Sequence, residues 1–384
     1  MFKKVALFFL VFMLFSSSFA ATVQIGANKE FIANGRQFFP VFALNQPAEL
    51  LVYQRSFGVN IFITEKEQKK GMTVEKYLSE VKAVKAFAVL GYEWLKETNK
   101  LGLLNTEPAL IGCLIANEPD TQVSGNPRLS ADELEKRCKE VKAVAPGSIT
   151  WLNLSSGFFN EENADRSKLV YYKKAAGFPE VLSFGIYPIN MWGKNTVGAG
   201  AAVKQLRGLC GDRVPVLACL EATVLPAVNK EGRAPAAGEV TVEVWSSLIN
   251  GAKGLGYLLE QKAGPSKKTV KLDPVIEGFF GQTHAMLQEL APVLGAKDVH
   301  EAFNIQSGGL DESGIIIKEN PEYVYGFFLN PNKNSKKVKI NLKFKPKFSV
   351  INLYGVNRTL ALDAGDTFLD TFEPYSVHIY EVAK

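Results

Sequence analysis

The chain has 384 residues, with 44 Lys and Arg against 39 Asp and Glu and a formal net charge of +5. So small a basic excess does not indicate a nucleic-acid partner. The first twenty residues combine Lys3 and Lys4, an apolar run over 5–15 and small residues up to Ala20. This pattern predicts a signal peptide at 1–20, so we expect a secreted or periplasmic protein with no membrane segment after cleavage.

Eight short apolar segments follow in chain order, most of them separated by segments with helical periodicity. The predicted strands are 38–45, 58–64, 86–91, 109–117, 149–154, 181–188, 214–221 and 255–260. Helices are expected at 73–86, 93–101, 132–145, 203–209 and 243–252, and a long helix over 274–294 closes the series. The count predicts an α/β protein with a (β/α)8 TIM barrel at 21–297. An open doubly wound sheet is the alternative, but no Gly-x-Gly-x-x-Gly turn follows an early strand.

The pattern changes after about residue 295. Short segments with period-two alternation, separated by turn residues, occur at 314–318, 323–329, 337–345, 348–353 and 377–382. They predict a small all-β sandwich at 298–384. Lysines at 337, 339, 343 and 345 alternate with apolar residues. We interpret them as the solvated face of a half-buried strand, and a surface that binds an anionic polymer is the alternative.

The four cysteines show no metal-ligand spacing, and the three histidines at 284, 300 and 378 do not supply one, so no metal is expected. Cys113 and Cys219 lie inside apolar runs, where a thiol behaves as a small hydrophobe. Cys138 and Cys210 fall on helical segments, and an exported protein could join them in a disulfide.

Three of the predicted strands lead into a glutamate. The fourth closes with Asn117-Glu118-Pro119, the seventh with Glu221 and the eighth with Glu260, which is the alternative to Glu221 as a reacting carboxylate. Because the carboxyl ends of all barrel strands meet at one face, these side chains are expected near each other. Two glutamates at one barrel mouth suggest a paired-carboxylate site.

These residues resemble the catalytic pattern of the clan A retaining glycoside hydrolases. The likeness extends to three further segments, which are Asn34-Gly-Arg-Gln-Phe-Phe-Pro-Val, Gly251-Ala-Lys-Gly-Leu-Gly-Tyr and Asp370-Thr-Phe-Glu-Pro-Tyr-Ser-Val-His-Ile-Tyr. The resemblance implies that Glu118 is the general acid/base and Glu221 the nucleophile in the cleavage of a carbohydrate, without metal or organic cofactor. It also implies that Asn117 binds the sugar 2-hydroxyl and that Tyr187 orients the nucleophile.

Four further residues are candidates for substrate binding, namely Asn45, Trp192, Tyr257 and Glu260. The sequence also departs from the family. Known members carry an Arg near the end of strand two and a His near strand six, whereas this chain has Thr64-Glu65-Lys66 and no His before position 284. A Trp often ends strand eight, where this chain has Leu259-Glu260-Gln261. The alternative function is therefore a non-catalytic carbohydrate-binding protein on a degenerate glycosidase barrel.

Serine-hydrolase and zinc-peptidase chemistry find less support. No Gly-x-Ser-x-Gly turn is present for a nucleophilic serine, and no His-Glu-x-x-His motif is present for zinc. Which sugar is bound, and whether the chain forms oligomers, does not follow from the sequence.

Overall fold

The computed structural model describes residues 23–66, 71–159, 166–193, 195–225, 232–259, 262–263, 268–269 and 272–384; the predicted signal peptide lies outside them. Eight parallel strands close into a barrel, as predicted. They are β1 (Val41–Leu44), β2 (Ile61–Thr64), β3 (Phe87–Gly91), β4 (Leu110–Asn117), β5 (Ile149–Leu154), β6 (Val181–Gly185), β7 (Val216–Glu221) and β8 (Leu255–Leu258). Nearly every strand residue is buried, as is typical of strands covered on both faces.

Each strand is followed by at least one helix that packs against the outside of the barrel. The helices are α1 (Leu51–Ser56), α2 (Val74–Ala83), α3 (Tyr92–Glu97), α4 (Leu103–Thr106), α5 (Ala131–Val144), α6 (Arg166–Ala175), α7 (Pro188–Trp192), α8 (Gly198–Leu209), α9 (Ala237–Ile249), α10 (Pro274–Glu289) and α11 (Ala291–Leu294). The Ser130 hydroxyl accepts a hydrogen bond from the Glu133 N–H at 3.2 Å, so Ser130 is the N-cap of α5.

Prolines account for two differences from the predicted elements. The sixth strand ends at Gly185 because Pro188 begins α7, where its missing N–H costs no hydrogen bond. The single helix expected over 274–294 is divided at Leu290. Pro292 follows this break, and its ring would clash with the carbonyl of Gln288 in an unbroken helix.

A three-stranded antiparallel sheet covers the amino-terminal end of the barrel. It consists of Val23–Ile25, Phe31–Ala33 and Arg36–Phe38. Asn34 and Gly35 form the hairpin turn between its second and third strands, with φ of 51° and 76°. Phe31 contacts Trp151 inside the barrel with ring centroids 6.2 Å apart. This end is therefore packed, which leaves the carboxyl end of the strands for a binding site.

The C-terminal part of the chain contains two antiparallel sheets, as predicted. Its strands are β9 (Phe303–Ser307), β10 (Ile315–Glu319), β11 (Tyr323–Leu329), β12 (Lys336–Leu342), β13 (Val350–Leu353), β14 (Arg358–Ala361), β15 (Thr367–Phe372) and β16 (Val377–Ala383). The sheet orders are β9-β12-β15 and β10-β11-β16-β13-β14. A hydrophobic core fills the space between the sheets. The proposed division at 297/298 falls between α11 and β9 and stays a prediction.

The second sheet packs on the barrel through α9. The rings of Trp245 on α9 and Phe327 on β11 stack at 6.1 Å, and both belong to the core that the barrel shares with its helices. Helix α9 is therefore covered on two sides, by the barrel and by the sandwich, and it is buried over most of its surface.

Two smaller expectations have different outcomes. Lys337 and Lys339 on β12 are exposed, and Val338 and Ile340, which alternate with them, are buried. The predicted alternation of lysines with buried apolar residues is therefore present in this strand. The disulfide that could have joined Cys138 and Cys210 is absent from the described residues, where both thiols are free and buried. Cys138 lies on α5 and Cys210 follows α8, and α6 packs between these two helices.

Asp370 is a buried charge in the sandwich, and we expect Asp370→Asn to destabilise that part of the protein. Its carboxylate accepts hydrogen bonds from Arg358, from His378 Nδ1 at 2.7 Å and from the Tyr380 hydroxyl at 2.8 Å. Burial alone would raise the pKa of Asp370, but these bonds outweigh it and lower the pKa. Because Arg358 is 43% exposed, the expected cost is that of weakening hydrogen bonds to a charged group, about 1.5–3 kcal/mol.

The measurement is urea unfolding at several pH values. A carboxyl whose pKa is lowered on folding stabilises the fold above its unfolded pKa, near 4, and this stabilisation is lost as the pH falls through the folded value. The difference between wild type and variant should therefore be full at pH 7 and shrink below about pH 4. Asp363→Asn, at an exposed position, is the control. Equal stability of Asp370→Asn and wild type at pH 7 would contradict the prediction.

Candidate active site

Glu118 directly follows β4 and Glu221 is the last residue of β7. All eight strands of the barrel run parallel, so both glutamates lie at its carboxyl end. The same end carries the loops that join strands to helices, which is where (β/α)8 barrels hold their sites.

Glu118 is half-buried and has a left-handed backbone conformation, with φ of 47°. This conformation is uncommon for a residue with a Cβ. The Glu118 N–H donates a hydrogen bond to the Asn153 carbonyl at 2.7 Å. Burial raises the pKa of the Glu118 carboxyl, and the nearby carboxylates of Asp120 and Glu65 raise it further, while Arg128 acts in the opposite direction. The site therefore favours the protonated form of Glu118 at a higher pH than for an exposed glutamate.

Asn117 belongs to a chain of hydrogen bonds across the barrel. The Trp151 Nε1–H donates to Ser183 Oγ at 2.8 Å, and that hydroxyl donates to Asn153 Oδ1 at 2.6 Å. Asn153 Nδ2 donates to Asn117 Oδ1 at 2.7 Å, and Asn117 Nδ2 donates to Glu65 Oε2 at 3.1 Å. The orientation of the Asn117 amide is thus set by partners on neighbouring strands.

Asp120 fixes the loop that carries Glu118. Its carboxylate accepts hydrogen bonds from the Ser155 N–H at 2.9 Å, the Ser155 hydroxyl at 2.5 Å and the Tyr172 hydroxyl at 3.0 Å. Because Ser155 follows β5 and Tyr172 lies on α6, the loop after β4 is tied to the next strand-helix unit.

Glu221 is 0% exposed and accepts three hydrogen bonds from α7. The donors are the Ile189 N–H at 2.5 Å, the Asn190 N–H at 2.8 Å and the Asn190 side-chain amide. Asn190 is itself held by the Thr223 carbonyl at 3.1 Å and by the Leu225 N–H at 2.8 Å. Burial raises the pKa of Glu221, and the bonds from Asn190 and Ile189 oppose this rise.

Tyr187 is buried, and both glutamates are close enough to affect its pKa. Its pKa is raised well above the ordinary value by burial and by the surrounding acidic groups, among which are Cys219, Glu118 and Glu221. The phenol is therefore neutral at physiological pH. The Tyr187 hydroxyl interacts with the Cys219 thiol. The donors to Glu221 described above belong to α7 and do not include Tyr187. The orienting role expected for Tyr187 stays a proposal.

Asn45 and Trp192 also lie at the carboxyl end of the barrel. The Asn45 Oδ1 accepts a hydrogen bond from the Glu65 N–H at 3.0 Å, which joins the ends of β1 and β2. Trp192 closes α7 and is 37% exposed, and its ring lies 6.0 Å from that of Phe159. Trp192, together with Phe159 beside it, is therefore available as a platform for a ligand.

Tyr257 occupies a packing position, which corrects its expected contact with substrate. The residue is 0% exposed and its ring lies 4.2 Å from that of Phe280 on α10. Its hydroxyl donates to His284 Nε2 at 3.0 Å, while His284 Nδ1–H donates to the Phe57 carbonyl at 2.6 Å. Burial lowers the pKa of His284 to about 4, so this histidine is neutral. Glu260, the other strand-eight candidate, lies outside the described residues.

Four residues of the site were given no role from the sequence: Glu65, Asn153, Asn190 and Glu243. Glu243 on α9 is fully buried, and its carboxyl lies close enough to that of Glu221 for the charge of Glu221 to raise its pKa. A sequence signal existed for it, because it is the lone charge in Val-Thr-Val-Glu-Val-Trp, where a solvated glutamate is not expected. Asn190 has no comparable signal, since it follows Pro188 in a segment predicted to end a strand.

Among the described residues, no three His, Cys, Asp or Glu side chains are grouped so that they could hold a metal ion. In the same part of the chain, no helix has the length and apolar character needed to span a bilayer.

No family model matches the chain, and no curated protein matches it. Solved structures share its fold at low identity. A family 5 glycoside hydrolase from Bacteroides vulgatus has a TM-score of 0.60 at 9% identity, over 94% of this chain and 93% of the other. A GH42 β-galactosidase from G. stearothermophilus, solved as a catalytic mutant, has a TM-score of 0.60 at 9% identity, over 95% and 99%. An α-amylase from Geobacillus thermoleovorans, complexed with acarbose, has a TM-score of 0.54 at 11% identity, over 94% and 95%.

These similarities concern the fold alone, which is a closed (β/α)8 barrel followed by a β-sandwich. The architecture that the resemblance implied is therefore confirmed. Identities of 9% to 11% carry no assignment of substrate or mechanism.

Proposed function

We propose that the protein is a glycoside hydrolase that cleaves O-glycosidic bonds of a polysaccharide or oligosaccharide with retention of configuration. The observation that supports it is the placement of Glu118 and Glu221 at the same end of the barrel, with Tyr187 close to both. Two carboxyls at one mouth are what a double displacement requires, since one protonates the leaving oxygen and the other attacks the anomeric carbon.

The environments of the two glutamates support different roles. Glu118 has acidic neighbours that favour its protonated form, which suits a general acid. Glu221 has three hydrogen-bond donors that favour its anion, which suits a nucleophile. Asn117, fixed by Asn153 and Glu65, is assigned to the sugar 2-hydroxyl beside the reacting carbon.

The remaining assignments concern the barrel rim, the two domains and the cellular location of the protein. Asn45 and Trp192 are assigned to substrate subsites, with Trp192 as the stacking platform. The barrel at 21–297 is assigned as the catalytic unit and the sandwich at 298–384 as its support. The basic, apolar and small-residue pattern of 1–20 supports export to the periplasm or the medium.

One observation favours a second function. Glu221 is 0% exposed, and a nucleophile must reach the anomeric carbon. A barrel in which Glu221 only fixes α7 would bind a carbohydrate through the rim without cleaving it.

Covalent labelling separates these two functions. A panel of 2-deoxy-2-fluoro glycosides with a dinitrophenolate leaving group is incubated with the protein, because the fluorine slows hydrolysis of the glycosyl-enzyme more than its formation. We expect one sugar of the panel to add once per chain, on Glu221, as located by mass spectrometry of peptides. Labelling at another carboxylate would displace Glu221 as the nucleophile. Binding of oligosaccharides with no labelling and no turnover would support the second function.

A further inference from the structure

Glu243 is a carboxyl inside an otherwise apolar helix. It is 0% exposed, as are its neighbours Val242 and Val244 on α9. The helix is held between the barrel and the sandwich, where Trp245 stacks on Phe327. Burial of a charged carboxylate without a partner is costly, so a glutamate at this position needs a specific neighbour or a proton.

The neighbour of Glu243 is Glu221. The two buried carboxyl groups lie close enough for each to influence the pKa of the other. Within the described part of the chain, neither oxygen of Glu243 receives a hydrogen bond from any donor. Two adjacent carboxyls in a buried site do not both ionise, so one of them carries a proton.

The position of this proton follows from the other contacts of the pair. Glu221 already accepts three hydrogen bonds from Ile189 and Asn190, each of which favours its anion. Glu243 has none of these bonds, and burial raises its pKa well above the ordinary value, with the charge of Glu221 adding to the effect. The proton therefore belongs on Glu243, whose O–H donates to Glu221.

The surrounding titratable groups are consistent with this arrangement. Glu239, one helical turn before Glu243 on α9, adds a negative charge, and it is itself paired with Arg233 at 2.7 Å. Tyr257 on β8 is close enough for Glu243 to raise its pKa, so the phenol is neutral. On the far side of Glu221, Tyr187 is neutral as well. Because the two neighbouring phenols are neutral, the pair of Glu221 and Glu243 carries one negative charge in total.

We propose that Glu243 is a positioning residue for the reaction, a protonated carboxyl that donates a hydrogen bond to Glu221 and keeps it anionic and oriented. This role rests on the proposed function of Glu221 as the nucleophile. It gives Glu221 a fourth donor, from the helix that the sandwich covers. The sandwich thereby supports the reacting carboxylate through α9.

Two substitutions test the role in the full-length protein. Glu243→Gln keeps the size and an N–H donor, whereas Glu243→Met keeps the volume and removes the donor. Glu239→Gln, one turn away, is the control. Thermal unfolding of all three shows which variants keep the fold.

The first readout does not depend on activity. The infrared spectrum of the wild type at neutral pH should contain the C=O stretching band of a protonated carboxyl that persists in Glu118→Gln and therefore does not come from the general acid. That band should disappear in both Glu243 variants and persist in Glu239→Gln. A wild type without the band would overturn the proposal.

The second readout is the pH dependence of kcat/KM on the glycoside found by labelling. Losing one hydrogen bond to a charged group should move the acidic limb of Glu243→Met up by about one to two pH units. At a pH on the acidic side of the shifted limb, kcat of Glu243→Met should be about 10- to 100-fold below that of the wild type, with little change in KM. Glu243→Gln should stay within a few-fold of wild type. If Gln and Met have equal effects, or if neither moves the limb, the positioning role fails.

Failure of the proposed function looks different. A protein that shows the Glu243 band but labels no residue and hydrolyses no glycoside would support the proton on Glu243 while overturning the function of Glu221. If Glu243→Met does not fold, the wild-type band and the acidic limb of Glu243→Gln decide the question.

Discussion

Glu118→Gln is expected to slow the hydrolysis of glycosides with poor leaving groups by roughly 10²–10⁴-fold, the range that a positioned general acid contributes. Glycosides with an aryl leaving group of low pKa should lose far less in the step that forms the glycosyl-enzyme, because their leaving oxygen departs without a proton. Gln has the size of Glu and keeps hydrogen bonding, so the variant removes the proton donor with little effect on packing. The measurement is kcat/KM for a series of aryl glycosides of one sugar, plotted against leaving-group pKa.

The slope of that plot decides the result. Wild type should show a shallow slope and Glu118→Gln a steep one. The pH profile provides an independent check, because the basic limb of kcat/KM should disappear when the acid with the raised pKa is removed. Glu80→Gln, at an exposed position on α2, is the control. Equal losses across the series would remove Glu118 from the role of acid.

The barrel could be predicted from the sequence because its strands are apolar on both faces. Continuous runs such as the one before Asn117 and the one before Glu221 do not depend on knowing which face is buried. Three sandwich strands, β9, β14 and β15, were missed, and two of them were missed for the opposite reason. In β9 only Phe303 is buried, and β14 is mostly exposed, so neither shows period-two alternation. Strands of this kind are specified by their neighbours in the sheet more than by their own composition.

The candidate site, too, could be predicted only in part. That Glu118 and Glu221 lie at one end of the barrel follows from strand direction alone, and both lie there in the structure. The side-chain environment depends on which face of each strand points inward. Tyr257 pairs with Leu220, and both point to the helix layer, whereas Glu221 pairs with Leu258, one residue further along. That register is set by packing, so a one-residue difference turned a predicted platform into a core residue.

The residues around Glu221 show a further limit of prediction from the sequence. They belong to α7, about 30 residues before Glu221 in the chain, and to α9, about 20 residues after it. A proline marked the start of α7, but nothing local indicated that the N–H groups after it would face a glutamate on the next strand. Such contacts between elements are a property of the closed barrel and cannot be read from periodicity.

Glu221→Ala is expected to lower kcat on the order of 10⁴-fold or more, because the covalent step has no nucleophile. Azide or formate should restore part of the activity on an activated aryl glycoside. The structural reason is that the Ile189 N–H, the Asn190 N–H and the Asn190 amide would line the space left by the carboxylate. Three donors around a small cavity favour an anion there.

The product distinguishes a nucleophile from a structural carboxylate. Azide that occupies the place of Glu221 attacks the anomeric carbon from the same side, and the glycosyl azide then has inverted configuration, which NMR of the anomeric proton reports. If Glu221 only fixes α7, Glu221→Ala should lower the unfolding temperature, since buried donors without acceptors cost about 1–3 kcal/mol each. Azide could then raise that temperature by binding the donors, but no glycosyl azide would form. Stabilisation without product would therefore assign Glu221 to the architecture of the rim and favour carbohydrate binding as the function.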